Sequence, residues 1–345
     1  MSVATSVSVL MTVYNGEAWL EEALASVLKQ TYTAFEFVIV DDGSTDATPE
    51  ILRKAAGRDS RIRLFEHENM GVSCSINRVL PHIRSEWIAR FDADDVMLPY
   101  RLERQLAFLC AHPDVAVISC FADYIDSAGQ TVGYYTNPLT SHSEVRHWLD
   151  TGKVLHFIQS GALVRRDAIE AVGGYRPEFN VTEDTDLWNR IAEAGYPVLV
   201  QPEVLMQVRV HARSLTRASM MLQVRQFRWL RDGALRRRSG RQELDFETFM
   251  AHEHRAWFPR RLNAARKDHG QVLFKRAALA HSSGGTLTML LHLTASTLLY
   301  PSHTLSNMWS KWFHARSSLR TSTSAAAVLT DEFPKSAAPR SEQAA

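Results

Sequence analysis

The sequence lacks the marks of several common protein classes. Its 345 residues hold three cysteines, Cys74, Cys110 and Cys120, with no CxxC pair. That excludes a disulfide scaffold and a zinc cage, and suggests reduced, mostly buried thiols in a cytosolic protein. The first basic residue is Lys29, so no charged segment precedes the apolar run Val7–Val13 and no signal peptide is expected. No GxGxxG follows that run, which argues against a dinucleotide dehydrogenase, and no GxxxxGK[ST] occurs. His252-Glu253-His254 is not HExxH; it reads as a solvated helix segment. Basic residues accompany Trp229 and Trp257, but no RNA- or DNA-binding motif does, so no nucleic acid partner is expected. Thr286–Tyr300 is apolar but contains His292 and several threonines, and it falls short of the roughly 20 residues of a spanning helix.

What is present is an ordinary globular composition, 45% hydrophobic and 22% charged, enough for one large α/β domain with appendages or two modest domains. The net charge of +1 hides an asymmetry. Residues 1–204 carry 17 Lys and Arg against 29 Asp and Glu; residues 205–345 carry 22 against 9. An acidic body, net −12, is joined to a basic C-terminal part, net +13.

In the body, short β-branched runs alternate with helical spacing. Strands are expected at Val7–Val13, Phe35–Val40, Ile62–Phe65, Trp87–Phe91 and Val115–Phe121. Helices are expected over Glu17–Gln30, from Thr45 or Asp46 to Ala56, over Val72–Ile83 and over Leu102–Ala111. Such alternation predicts a mainly parallel sheet covered by helices on both faces. Ligands then bind beyond the carboxyl ends of the strands. Those ends carry Tyr14-Asn15, Asp41-Asp42 and Asp92-Ala93-Asp94-Asp95.

The middle section is mixed. Tyr134–Thr140 reads as a loop, Gly161–Val164 as a strand, Glu183–Ala194 as a helix, and short strands end near Val210. From Met220 the pattern is helical, with Arg225, Arg228, Arg231 and Arg236 to Arg238 crowding one helix. Val272–His281, Gly284-Gly285, Thr286–Leu299 and Pro301 suggest a helical hairpin. The Ser, Ala, Thr and Pro content beyond Ala315 argues for a disordered tail. The expected division is 1–215, 216–314 and 315–345.

Carboxylates massed at one strand end repel each other, and packing does not require them. A hard divalent cation would neutralise Asp92, Asp94 and Asp95. The other reading of an isolated DxDD is an acidic turn that caps the next helix. Asp41-Asp42-Gly43-Ser44 is likewise either turn chemistry or a carboxylate for a ribose or nucleobase. Glu183-Asp184 either caps a helix or supplies a general base.

As a set, these segments resemble a family. Ser8–Asn15, Ser26–Tyr32, FEFVIVDDGSTD at Phe35–Asp46, IARFDADD at Ile88–Asp95, Pro99–Gln105 and Glu183–Trp188 are similar to family-2, inverting glycosyltransferases of the GT-A fold. The resemblance spans about residues 6–215. It implies a nucleotide-binding α/β sheet, to which the C-terminal helices are an extension. It implies that Thr12, Tyr14, Asp41, Asp42, Asn69 and Asp92 serve the nucleotide. Asp94, with Asp92 and His211, would hold Mg²⁺ or Mn²⁺, and Asp184 would be the catalytic base. The implied partners are a nucleotide-diphosphate sugar, a UDP-sugar favoured, and a hydroxyl acceptor on a glycan or lipid-linked glycan.

The match has departures. Ile76 stands where many relatives carry Arg, and Gln226-Phe227-Arg228-Trp229 is one residue short of the QxxRW of processive synthases. A single-transfer enzyme is therefore expected. A non-catalytic nucleotide-sugar-binding module is the alternative; a nucleotidyltransferase fits less well, because the loop Tyr14–Glu17 is acidic with one glycine. The basic helices have two readings, packing within a hairpin or peripheral attachment to the anionic inner face of the cell membrane.

Overall fold

The computed structural model describes residues 6–179, 181–211, 219–282, 285–305 and 307. The expected tail, 315–345, lies outside them.

Strands β1 (Val7–Val13) and β2 (Phe35–Asp41) are buried almost throughout. Runs apolar at successive positions fit a strand covered on both faces. With β3 (Ile62–Glu66) and β4 (Trp87–Asp92) they form the parallel half of the sheet, in the order β3-β2-β1-β4. Helices α1 (Leu20–Leu28), α2 (Thr48–Ala56), α3 (Val72–Val79) and α4 (Arg101–Ala111) belong to this half and its crossovers.

Beyond β4 the sheet continues through β8 (Leu163–Arg165), β6 (Val117–Ile125), β9 (Val198–Arg209) and the two-residue β5 (Val96–Met97), with β7 (Thr131–Tyr135) on β6. β8 runs antiparallel to both β4 and β6, so β6 and β9 point the same way as β4. The sheet is mainly parallel, and its carboxyl-end edge is continuous from β2 to β9. Helices α5 (His142–Asp150), α6 (Arg166–Ala171) and α7 (Glu183–Glu193) complete the body.

Two buried arginines replace ordinary core where the sheet changes direction. Arg101 donates to the carbonyls of Ser160 (2.6 Å), Ala162 (3.0 Å) and Arg90 (3.1 Å), and to Gln105 Oε1 (3.1 Å). Arg90 donates to the Leu10 carbonyl at 2.9 Å. A buried cation is tolerated only when hydrogen-bonded, so these carbonyls fix the backbone below the strand ends.

The structure departs from the expected elements in three places. Part of the segment expected to be a loop at Tyr134–Thr140 is the end of β7. Asp126 Oδ1 accepts from the amides of Ala128 and Gln130, and Gly129 sits at φ +82°, which closes a β6–β7 hairpin. The expected short strands merge into one, β9, with register shifts against β6 between Cys120 and Ala122. The first helix of the expected hairpin begins earlier, at Phe258.

The C-terminal part comprises α8 (Met220–Arg238), α9 (Phe246–Arg255), α10 (Phe258–Ser282) and α11 (Thr286–Leu299). Trp229 of α8 stacks on Phe179 of the body, ring centroids 4.2 Å apart, and tilts against Phe246 of α9. Most of the arginines of α8 are paired. Arg237 and Arg238 grip Glu193 of α7 at 2.6 and 2.8 Å; Arg228 holds Asp268 and Glu253; Arg236 holds Asp232.

Candidate active site

Register places the acidic edge. Thr12 on β1 lies beside Asp92 on β4, and Val13 lies beside Asp41 on β2. The loops after β1 and β2 are stapled together. Asn15, at φ +52°, donates its amide to Ser44 Oγ and accepts from the Thr45 amide. Asp41 is buried and accepts from the Ser44 amide at 3.0 Å. Gly43 has φ +76°, and a Cβ there would stand 2.5 Å from the Asn69 nitrogen. The glycine thus lets the Asp41–Ser44 turn touch the loop that carries Asn69. A cleft of about 510 Å³ opens between them, lined by Asp41, Gly43, Ser44, Arg53, His67 and Asn69. Tyr14 is half exposed at the rim.

Asp42 faces inward. Its Oδ1 accepts from the Met70 amide and Ser75 Oγ, both at 2.8 Å, and its Oδ2 accepts from the Gly71 amide at 3.0 Å. A carboxylate at the start of α3 suits the helix dipole. In this arrangement Asp42 ties the Asn69 loop to the sheet.

At the end of β4 the three aspartates diverge. Asp95 is buried and accepts from the Arg209 amide at 2.9 Å. Burial, then the charges of Asp94 and Asp92, push its carboxyl well above the usual range. Asp92 is partly exposed, with Arg90 Nη2 4.0 Å from Oδ1; desolvation in the cleft raises its pKa against the pull of Arg90. Asp94 Oδ2 stands 2.8 Å from His211 Nε2.

Arg209 makes that last contact possible. Its side chain donates to the carbonyls of Asp94 (2.9 Å) and Asp126 (3.0 Å) and pairs with Glu22 at 2.6 Å. It also lies over Trp19, whose ring packs 4.1 Å from that of His211. Sequence reasoning saw Arg209 only as part of a motif and did not single out Trp19 or Glu22. Neither residue type nor spacing links α1 to the end of β9.

Among the described residues, no three His, Cys, Asp or Glu side chains gather into a complete metal shell. Mg²⁺ and Mn²⁺ keep water and substrate phosphate in their shells and need only one or two protein carboxylates. Asp94, with His211 beside it and Asp92 on the same turn, fits that requirement.

Asp184 lies in the first turn of α7. Its Oδ1 accepts from the Thr185 amide at 2.6 Å and from Thr185 Oγ1 at 3.2 Å. Among the described residues, no donor bonds its Oδ2. Desolvation pushes the Asp184 carboxyl up to about 6, and the charge of Asp92 adds to the shift. Glu183 is pushed up to about 8 by desolvation and by Asp184. The charge of Asp92 raises both carboxyls, so the start of α7 lies within electrostatic reach of the end of β4.

Behind Asp184 runs a short chain of donors. His156 Nδ1 is 2.9 Å from Thr185 Oγ1, and burial lowers the imidazole pKa to about 4, so it stays neutral. With Nδ1 protonated, His156 donates to Thr185 and Thr185 donates to Asp184. From α8, Gln226 donates to the Glu178 carbonyl (3.0 Å) and accepts from the Val181 amide (3.3 Å). The shortened QFRW segment therefore braces the loop that leads to Asp184. Among the described residues, the buried polar atoms without hydrogen-bond partners include Arg90 Nη2, Gln159 Oε1 and Tyr175 Oη.

The family profile described as Glycosyl transferase family 2 matches residues 8–173. The chain is 33% identical over 223 residues to EpsE of Bacillus subtilis (strain 168), a protein named as a glycosyltransferase, covering 64% of this chain and 78% of that one. The chain belongs to glycosyltransferase family 2. It is also 31% identical over 208 residues to the amylovoran biosynthesis glycosyltransferase AmsE of Erwinia amylovora, 59% of this chain and 75% of that one.

Among solved structures, the fold is similar to the mannosyltransferase PcManGT of Pyrobaculum calidifontis in complex with GDP-Man and Mn²⁺. The TM-score is 0.55 at 21% identity, over 90% of this chain and 85% of that one. It is similar also to S. aureus TarS 1-349 in complex with UDP-GlcNAc, with a TM-score of 0.53 at 15% identity, over 85% and 91%. The expected GT-A fold and glycosyltransferase class are thereby shown. The profile match ends before Glu183, so the family-2 glycosyltransferase profile does not itself reach Asp184.

Proposed function

We propose that this family-2 glycosyltransferase moves one sugar, with inversion, from a nucleotide-diphosphate sugar to a hydroxyl of a glycan or lipid-linked glycan. What supports this reading is the electrostatic influence between two acidic groups: Asp92, which ends β4 beside Asp94, and Asp184, whose Oδ2 accepts no hydrogen bond among the described residues.

Asp41 and Asn69 line the cleft read as the place for the nucleoside, with Thr12 and Tyr14 at the end of β1 beside it in the sheet, and Asp42 holds the Asn69 loop in position. A UDP-sugar is the favoured donor, the class bound by the TarS neighbour. Asp94 with Asp92 and His211 would hold Mg²⁺ or Mn²⁺, an ion present in the PcManGT complex. Such an ion neutralises charge on the departing diphosphate. Asp184 takes the proton from the acceptor hydroxyl as it attacks. A carboxyl near pH 6 is ionised at neutral pH yet basic enough for that transfer. Base and leaving group on opposite sides of the sugar give inversion.

The AmsE relative favours an acceptor in cell-surface polysaccharide assembly. A lipid-linked acceptor would bring the enzyme to the inner face of the membrane. Among the described residues no helix is long and apolar enough to cross one.

The test is Asp184→Asn. Metal-dependent donor binding by calorimetry should persist, while transfer falls by about 10²–10⁴-fold. Transfer at the wild-type rate would reject the assignment.

A further inference from the structure

The arginines of α8 that first suggested a docking charge are mostly engaged inside the protein, with Glu193, Asp232, Glu253 and Asp268. The unmatched charge lies further along. Between residues 254 and 305 the sequence holds seven Lys and Arg and one acidic residue, Asp268. Asp268 is buried and bonded to Arg228. Arg255, Arg260, Arg261 and Arg276 are exposed, and no described carboxylate pairs with them.

Apolar surface accompanies this charge. On α11, Leu287, Leu291 and Leu298 recur with Thr294 at helical spacing, and all are exposed; Leu290 lies beside them. At the start of α10, Trp257 and Phe258 are 78 and 67% exposed, next to Arg260, Arg261 and an exposed Leu262. α11 packs on α10, and α10 on α8, so α11 is the outer layer of the extension. Soluble surfaces rarely leave such a stripe uncovered without a partner.

We propose that the outer face of the α10–α11 hairpin seats on an anionic lipid bilayer. Leu287, Leu291, Leu298, Trp257 and Phe258 would enter the interface, and Arg255, Arg260 and Arg261 would meet lipid phosphates. α11, at 14 residues, lies on a membrane; it does not span one. Charge selects this occupant. A two-fold dimer through the same face would set one basic patch against its copy. The chain beyond residue 307 is also net basic, with five Lys and Arg against three acidic residues, and is a poor complement. The proposal uses the lipid-linked acceptor reading only for its purpose; binding can be measured without transfer.

The experiment is co-sedimentation of the full chain with phosphatidylcholine vesicles, with and without phosphatidylglycerol, alongside light scattering for oligomeric state. The wild type should pellet with the phosphatidylglycerol vesicles and far less with phosphatidylcholine alone. Each basic residue near an anionic surface is worth about fivefold, so Arg260→Gln with Arg261→Gln should lower partitioning roughly 25-fold. Leu287→Ser, Leu291→Ser and Leu298→Ser together should lower it by about tenfold or more. Both variants should keep metal-dependent donor binding, which separates this proposal from the catalytic one. No pelleting with phosphatidylglycerol, or equal binding to both vesicles, would overturn it. So would unchanged partitioning of both variants, or a dimer that the leucine variant splits.

Discussion

The acidic body and the basic extension are both dense in charge, but they handle it differently. At the strand ends Asp92, Asp94 and Asp184 face a cleft without a full set of protein counter-charges, and burial raises the carboxyls of Asp92 and Asp184. In α8 nearly every arginine that contacts the body meets a carboxylate; Glu193 holds both Arg237 and Arg238, and Glu243 also pairs with Arg237. Uncompensated charge marks where something else binds, and paired charge marks where the chain holds itself together. The same contrast then divides the extension, because among the described residues no carboxylate pairs with the arginines of α10, as several do with those of α8.

That comparison can be broken at several points. The largest effect after loss of the base is expected for Asp94→Ala. Mn²⁺-dependent donor binding should weaken by at least roughly 10–100-fold, with little change in melting temperature, since among the described residues only His211 pairs with its carboxylate. Equal donor affinity with and without Mn²⁺ in the wild type would remove the metal from the account.

Glu193→Gln should act oppositely. It leaves Arg238 without its carboxylate and Arg237 with Glu243 alone, and should lower stability by about 1–3 kcal/mol, less than for a fully buried pair because these side chains are partly exposed. Urea unfolding measures it, and transfer per folded molecule should hold.

Thr185→Val removes a donor to Asp184 Oδ1. Hydrogen bonds to the ionised form favour it, so the acid limb of the rate profile, near pH 6 in the wild type, should move up by about half to one unit. His156→Phe should move it in the same direction by less. An unmoved limb would show that the donor chain does not bear on the base.

The last test concerns Glu183. Its folded pKa of about 8 exceeds its ordinary 4.5. The folded state therefore holds a proton that the unfolded chain releases. Its stabilising share is fully present below about pH 4.5 and is lost as pH rises through about 8. Glu183→Gln should flatten the decline of melting temperature over that window.

The left half of the sheet was legible because β1, β2 and β4 are continuous apolar runs that end in acids. Parallel topology then carries those ends to one edge whatever the intervening helices do. The Asp94–His211 contact was only half legible. A loop histidine after the last strand was visible, but what brings it to Asp94 is Arg209 bridging to Asp126 and Glu22, and Trp19 beneath the ring. Such contacts span 83 residues or more and leave no periodic trace. Asp42 carries the same lesson. Its turn sequence shows an acid beside Gly43, but not that both oxygens face the amides of residues 70 and 71. β7 was hidden because aromatic residues near Pro138 read as a loop until the Asp126–Gly129 turn pairs them with β6.

The central claim is that the base Asp184 faces the strand-end aspartates across the reacting sugar. The most direct measurement is the anomeric configuration of the first-formed product, followed by NMR from a donor of defined configuration. The account requires the product to carry the opposite configuration; a product that keeps the donor's configuration would contradict it.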